Sequence, residues 1–241
     1  MKRALLLLAS FSFASGIAAQ TPVVFMTESY PPFSYQEPGG KYRGAGIDQI
    51  EIIMRETQVP YTLEILPWAR AIAMAETQAD HCIFAAARTA EREARFKWVV
   101  PLFIDRNILV RHGSSKVSAT TMDEAKHYTV GTHRADYTEG LLRSFGFPKI
   151  DLSSDFDTTL RKLLEDRIEM MPMSEGAYEK LRAAGTAVEK VFVFSEQDLG
   201  IACNRATPDE LITTMQANLD RLIKDGVQTA IFNRYGINQP K

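Results

Sequence analysis

"HCIFAAARTAEREARFKWVVP", residues 81–101, runs from a short apolar stretch through eight positions holding three arginines and two glutamates, then out through apolar residues to Pro101. A short apolar run with polar flanks suits a strand covered on both faces, so "HCIFAAA" reads as a buried strand. Thr89 is a good N-cap for the helix that follows. Ala90 and Glu91 then fall in its first turn, where a carboxylate suits the positive end of the helix dipole. A buried strand leading straight into a helix points to the α/β class.

The same alternation extends in both directions. Upstream, "VVFMTE" reads as a strand. "GIDQIEIIMRETQ" reads as a helix with Ile47, Ile50, Ile53 and Met54 on one face, stopped before Pro60. "YTLEIL" is a strand and "PWARAIAMAETQA" a helix opened by Pro67. From "YTVGT" at 128–132 the rhythm repeats through "YTEGLLRSFG", "KIDLS", "DTTLRKLLEDR", "IEMMPM", "EGAYEKLRAAG" and "VEKVFVFS". The doubled β/α pattern predicts two α/β lobes, each with a largely parallel sheet. Near the end, Thr207, Pro208 and Glu210 have the spacing of a capping box, Gly226 supplies a stop, and Leu211, Met215, Leu219 and Leu222 form an apolar stripe expected to be core.

With 241 residues, 45% hydrophobic and 24% charged, the chain can build one large domain or two small lobes. Residues 1–19 read as a secretory signal peptide: Lys2 and Arg3, then "ALLLLASFSFA", then the small residues "SGIAA" before Gln20. No cysteine follows that region, so lipid attachment is not expected. Without residues 1–19, 26 basic residues face 30 acidic ones. That balance argues against nucleic acid or an anionic membrane as partner. Cys82 and Cys203, 121 positions apart in apolar segments, read as two separate buried thiols. His81, His112, His127 and His133 have no metal-ligand spacing, and no structural metal is expected. Met170, Met171 and Met173 read as an apolar strand rather than a copper site.

No nucleophile elbow, phosphate loop or H-E-x-x-H motif occurs, and "GAGIDQ" at 44–49 lacks the third glycine of a dinucleotide fingerprint. The absence of such motifs favours binding over turnover. Arg92 is the anomaly, since a cation at the third position of a helix opposes the dipole. It suits an anion held at a strand end and helix start, where a guanidinium can grip a carboxylate with two parallel hydrogen bonds. Equally, Glu28 or Asp48 would serve as its partner. Arg95 reads as a surface residue near Glu91, and Arg88 is left open.

The stretches "ESYPPFSY", "GKYRGAGIDQIEIIM", "ADHCIFAAARTAER" and "FKWVVPL" together resemble the extracellular solute-binding proteins of family 3, the polar amino-acid receptors of ABC importers. "YTVGTHRADYTEGLL", "LLEDRIEMMPMS" and "LDRLIKDGVQTAIFNRYG" extend the likeness over nearly the whole mature chain. The resemblance implies a type II periplasmic binding protein with two crossover strands, near 103–109 and 196–203, acting as a hinge. Lobe one would be residues 20–108 with 198–241, and lobe two residues 109–197. It also implies that Arg92 of T-x-x-R grips a ligand carboxylate, that Gly131 and Thr132 donate to the same group, that Tyr30 covers the ligand, and that Ala87 lines the site.

Two departures stand out. Where the family places an aspartate for the ligand's amine, this chain has Ser174, with Glu175 next to it, and "FAAAR" replaces small polar residues before T-x-x-R. "LPWAR" resembles a P-W-x-R branch in which Trp68 and Arg70 face the cleft, although Trp68 in the core with Arg70 in solvent is the competing reading. Should Arg70 or Arg88 reach the cleft, an acidic guest is expected. The function implied is a monomeric, non-catalytic periplasmic receptor without cofactor, passing a small carboxylate-bearing solute to an ABC-type membrane permease. The alternatives are a ligand-sensing partner of a membrane sensor, or a cyclohexadienyl-dehydratase-like enzyme using Glu175 or Glu28.

Overall fold

The computed structural model describes residues 21–238, so the signal-peptide reading of residues 1–19 lies outside the described residues. Its first half runs β1 (Val23–Thr27), β2 (Tyr35–Gln36), β3 (Tyr42–Arg43), α1 (Ala45–Thr57), β4 (Tyr61–Ile65), α2 (Trp68–Thr77), β5 (His81–Ala87), α3 (Ala90–Glu93) and β6 (Lys97–His112). The second half runs α4 (Met122–Ala125), β7 (Val130–His133), α5 (Tyr137–Ser144), β8 (Ile150–Ser153), α6 (Phe156–Leu164), β9 (Met170–Ser174), α7 (Glu175–Ala183), β10 (Val188–Cys203), α8 (Asp209–Lys224) and α9 (Val227–Tyr235).

Eight strands join in the order β4-β1-β5-β10-β6-β9-β7-β8. At one end β1 pairs parallel with β4 and β5; at the other β7 pairs parallel with β8 and β9. Between them β6 and β10 run antiparallel, from Val188 opposite His112 to Cys203 opposite Lys97. At about 3.3 Å per residue each is roughly 50 Å long, too long for one lobe. Leu199–Cys203 of β10 pairs with β5, while Asn107–Arg111 of β6 pairs with β9. Both strands therefore cross from one lobe to the other, in the short interval between those two pairings.

Each lobe has a core on both faces of its half of the sheet. Ile47, Ile50, Ile53 and Met54 of α1 are at most 1% exposed and share a cluster with Met215, Leu219 and Leu222 of α8. Burying each such side chain contributes about 1.5–3 kcal/mol, which is what the two apolar stripes are for. Trp68, Ala71, Ile72 and Ala75 of α2 cover the opposite face with Ile83 and Ala86. In the second lobe Leu109 and Met170 face one cluster, whereas Ile108, Val110, Met171 and Met173 face the other. The methionines are thus packing residues, divided between two faces by the two-residue strand period.

Two local expectations are corrected. Cys82 and Cys203 form a disulfide rather than two thiols. The antiparallel register of β5 and β10 sets them opposite one another despite 121 residues of separation. The capping box at Thr207 does not form: α8 starts at Asp209 after Pro208, and the Thr207 hydroxyl is buried without a partner. The Thr207 carbonyl instead accepts from Lys97 Nζ at 2.7 Å, which ties this turn to the start of β6.

Candidate functional site

The carboxyl ends of β1 and β5 face those of β7 and β9 across a cavity of about 50 Å³ beside the crossing of β6 and β10. This is where open α/β sheets hold ligands. Thr27 and Glu28 come from the end of β1, Ala85 and Ala87 from β5, Thr132 and His133 from β7, and Ser174 from β9.

Arg92 lines this cavity and is only 5% exposed. Its Nη2 donates to the Ala135 carbonyl at 2.7 Å and its Nη1 to the Ala87 carbonyl at 3.4 Å, while the guanidinium lies 5.8 Å from the Trp68 ring centroid. Neither acid expected as a partner reaches it: Glu28 is taken by His133 and Asp48 by Arg234. Among the described residues no ion pair to Arg92 is found. Burial lowers its pKa, partly offset by the charge of Asp136. A buried cation held only by carbonyls is under-compensated.

Trp68 is 3% exposed, and its Nε1 donates to the same Ala135 oxygen at 2.9 Å. Two donors of the first lobe thus converge on one carbonyl of the second. Ala135 is held at φ 63, a left-handed conformation that costs a residue with a side chain about 1–2 kcal/mol. Tyr30 reaches across in a similar way, its hydroxyl accepting from the Ser174 N–H at 2.8 Å and its ring 4.4 Å from that of Phe156. Burial raises the Tyr30 pKa well above 10, so its hydroxyl stays neutral.

His133 Nε2 lies 3.1 Å from Glu28 Oε2 and 3.9 Å from Asp136 Oδ2. Burial alone would lower the imidazole's pKa, but the two carboxylates overcome it and raise it to about 9. The three side chains place donor atoms within 4.8 Å of one another. With the imidazole protonated at neutral pH, the arrangement reads as an ion-pair cluster.

Sequence reasoning missed Phe103, Asp105 and Asn107, all cavity-lining and at most 6% exposed. They sit at alternate positions of β6, on one face of the strand. The signal was a lone "D-R-N" inside the apolar run "WVVPLFIDRNILV". His133 was also missed, because its partner Glu28 is more than 100 residues away, and with it Asp136, which lies 3.9 Å from the same imidazole.

Arg92, Thr132, Tyr30, Ala87, Trp68 and Ser174 are brought together around the cavity, and four expected residues are not. Gly131 lies on the opposite face of β7, where a Cβ would come within 2.3 Å of Ile168. Arg70 is exposed, two residues beyond buried Trp68 on α2. Glu175 pairs with Lys190 at 2.6 Å and Arg106 at 3.4 Å. Arg88 leaves β5 opposite Ala87 and holds Glu93 with two hydrogen bonds of 2.8 and 2.7 Å, stacked over Trp98. With neither Arg70 nor Arg88 present, the cavity's cations are Arg92 and His133, against Glu28, Asp105 and Asp136. The condition set for an acidic guest, Arg70 or Arg88 in the cleft, is not met, and the balance of charge is acidic.

The sequence model of the bacterial extracellular solute-binding proteins, family 3, matches residues 23–238. The chain belongs to this family. Among the relatives of this family 3 protein is the L-cystine-binding protein TcyJ of Escherichia coli strain K12, 23% identical over 226 residues, covering 89% of this chain and 82% of that one. The fold is similar to that of the P235GK mutant of ArgBP from T. maritima, with TM-score 0.81, 18% identity, and 89% and 94% of the two chains covered. It is also similar to a histidine kinase sensor domain, with TM-score 0.83, 17% identity, and 92% and 99% covered. The two-lobed architecture is that of the periplasmic binding proteins, and among the described residues no helix is long and apolar enough to cross a membrane.

Proposed function

We propose that this family 3 protein is an exported, non-catalytic receptor that closes residues 20–108 with 198–241 against residues 109–197 over a small carboxylate-bearing solute. The solute is an amino acid or related organic acid, delivered to the permease of an ABC-type importer from the periplasm after removal of residues 1–19. The observation that carries this reading is Arg92. A guanidinium 5% exposed, lining the inter-lobe cavity and without a carboxylate partner among the described residues, has the charge and fork geometry for a ligand carboxylate. Thr132, also cavity-lining, adds a hydroxyl from the second lobe. TcyJ, a binding protein by name, is consistent with it.

Titration calorimetry of the mature protein against amino acids and small carboxylates tests the reading. A carboxylate-bearing ligand is expected to bind, and Arg92→Ala to weaken it more than tenfold. Absence of binding across the panel, or unchanged affinity in the variant, would sink it. The fold likeness to a sensor domain favours a second reading, in which the closed form is presented to a membrane sensor. Co-purification with a sensor rather than a permease would select it.

A further inference from the structure

Asp105 is a buried anion that the carboxylate-binding reading does not use. It is 6% exposed, on the crossing segment of β6, and lines the cavity. Its carboxylate accepts from the Tyr137 hydroxyl at 3.2 Å and from Asn107 Nδ2 at 3.5 Å. Both partners are neutral. Among the described residues no cation pairs with Asp105, and Asp136 adds to the negative field around it. Next to it, Asn107 is 4% exposed, lines the cavity, and has an Oδ1 without a hydrogen-bond partner among the described residues. A buried carboxylate without a counter-charge and a buried acceptor without a donor both call for the same thing, a cationic donor.

The placement of these groups answers the question raised by Ser174. In the register of β6 and β9, Asn107 stands opposite Ser174. Ser174 lacks a charge, and the carboxylate of Asp105 lies two residues from Asn107 on the same face of the neighbouring strand. We infer that the amine-recognising acid of this receptor is Asp105, with Asn107 Oδ1 as second acceptor, so that the ligand carries an ammonium group as well as the carboxylate held by Arg92. The cavity then presents one under-compensated cation and one under-compensated anion, the complement of a zwitterion. This rests on the carboxylate-binding reading and adds to it. It excludes amine-free organic acids as the preferred guest.

The test uses the full mature protein and titration calorimetry. The probes are the standard L-amino acids, each compared with its des-amino carboxylate and its decarboxylated amine. At least one amino acid is expected to bind, with its des-amino partner about 30-fold or more weaker, the scale for removing one side of a buried charge pair. Asp105→Asn is expected to lose a similar factor for the amino acid while changing des-amino affinity less than threefold. Because Asp105 sits at about pKa 6, raised by burial against the hydrogen bonds of Asn107 and Tyr137, wild-type affinity for the amino acid should also fall as pH drops through about 6. Glu28, Asp136, His133, Arg92 and Tyr30 also line this cavity, so the Asp105→Asn profile is the reference: it should lack the step. An Asp105→Asn variant as tight for the amino acid as wild type would overturn the assignment to Asp105, and if that variant does not fold, Asp105→Ser is read in its place. Carboxylates that bind equally with or without the amine would overturn the inference while leaving the carboxylate reading intact. Failure of every probe would overturn both.

Discussion

His133 Nε2 stands 3.1 Å from Glu28 Oε2, joining the end of β7 to the end of β1 across the cleft. Both side chains are largely buried, and the imidazole's pKa lies near 9 despite a burial effect that opposes protonation. The folded-state value exceeds the ordinary 6.5, so the stabilisation is complete below about pH 6.5 and is lost as pH rises through about 9. The expected size is up to about 3 kcal/mol. Calorimetric melting between pH 6 and 10 should show wild type losing stability in that window relative to His133→Gln. Parallel profiles for the two proteins would remove the role.

Arg92→Lys keeps the charge but loses the planar fork that donates to Ala135 and that the proposed function assigns to a ligand carboxylate. Ligand affinity should fall by more than tenfold, within the roughly 2–5 kcal/mol span for disrupting one side of a buried charged contact. Titration calorimetry reads this directly. A lysine variant as tight as wild type would show that charge alone suffices and that the fork is unused.

Trp68→Phe retains most of the ring but removes the Nε1 donor to Ala135. The carbonyl keeps Arg92, so it is not orphaned, and the net loss should be about 1 kcal/mol. That loss falls on the contact between lobes. Small-angle scattering of the variant without ligand should show a larger radius of gyration than wild type, and ligand affinity should drop about fivefold. An unchanged radius with unchanged affinity would place the indole hydrogen bond outside the closing contacts.

The Cys82–Cys203 disulfide links β5 to β10 and closes a chain segment that contains the whole second half of the sheet. Replacing both cysteines by alanine should cost about 2–4 kcal/mol, a drop in melting temperature of roughly 4–16 °C. Thiol titration of the unfolded, unreduced protein should find no free thiol. Two titratable thiols would contradict the pairing.

Much of the fold was legible because its cause is local. The stripe at Ile47, Ile50, Ile53 and Met54 and the run "HCIFAAA" have the periods of a half-buried helix and a doubly covered strand, and both form where expected. Thr89 stands at the start of α3 but its side chain makes no cap bond, whereas Arg92, out of place by dipole logic, does line the cavity. Arg88 was not legible. Its partner Glu93 depends on how a four-residue helix turns back on the strand end. Nor could the fate of Glu175 be read, since Lys190 reaches it only through the pairing of distant strands.

What the sequence determined by itself was therefore the alternation of elements, the apolar faces that force two cores, and the single misplaced arginine, all set by spacing within a few turns or strand steps. Tertiary structure alone decided which charges share the cavity. Cys82 meets Cys203 only through the register of β5 with β10, Glu28 meets His133 only when strand ends of both halves face each other, and Asn107 stands opposite Ser174 only through the pairing of β6 with β9. Contacts between residues dozens of positions apart follow from sheet order and register, which periodicity along one segment does not encode.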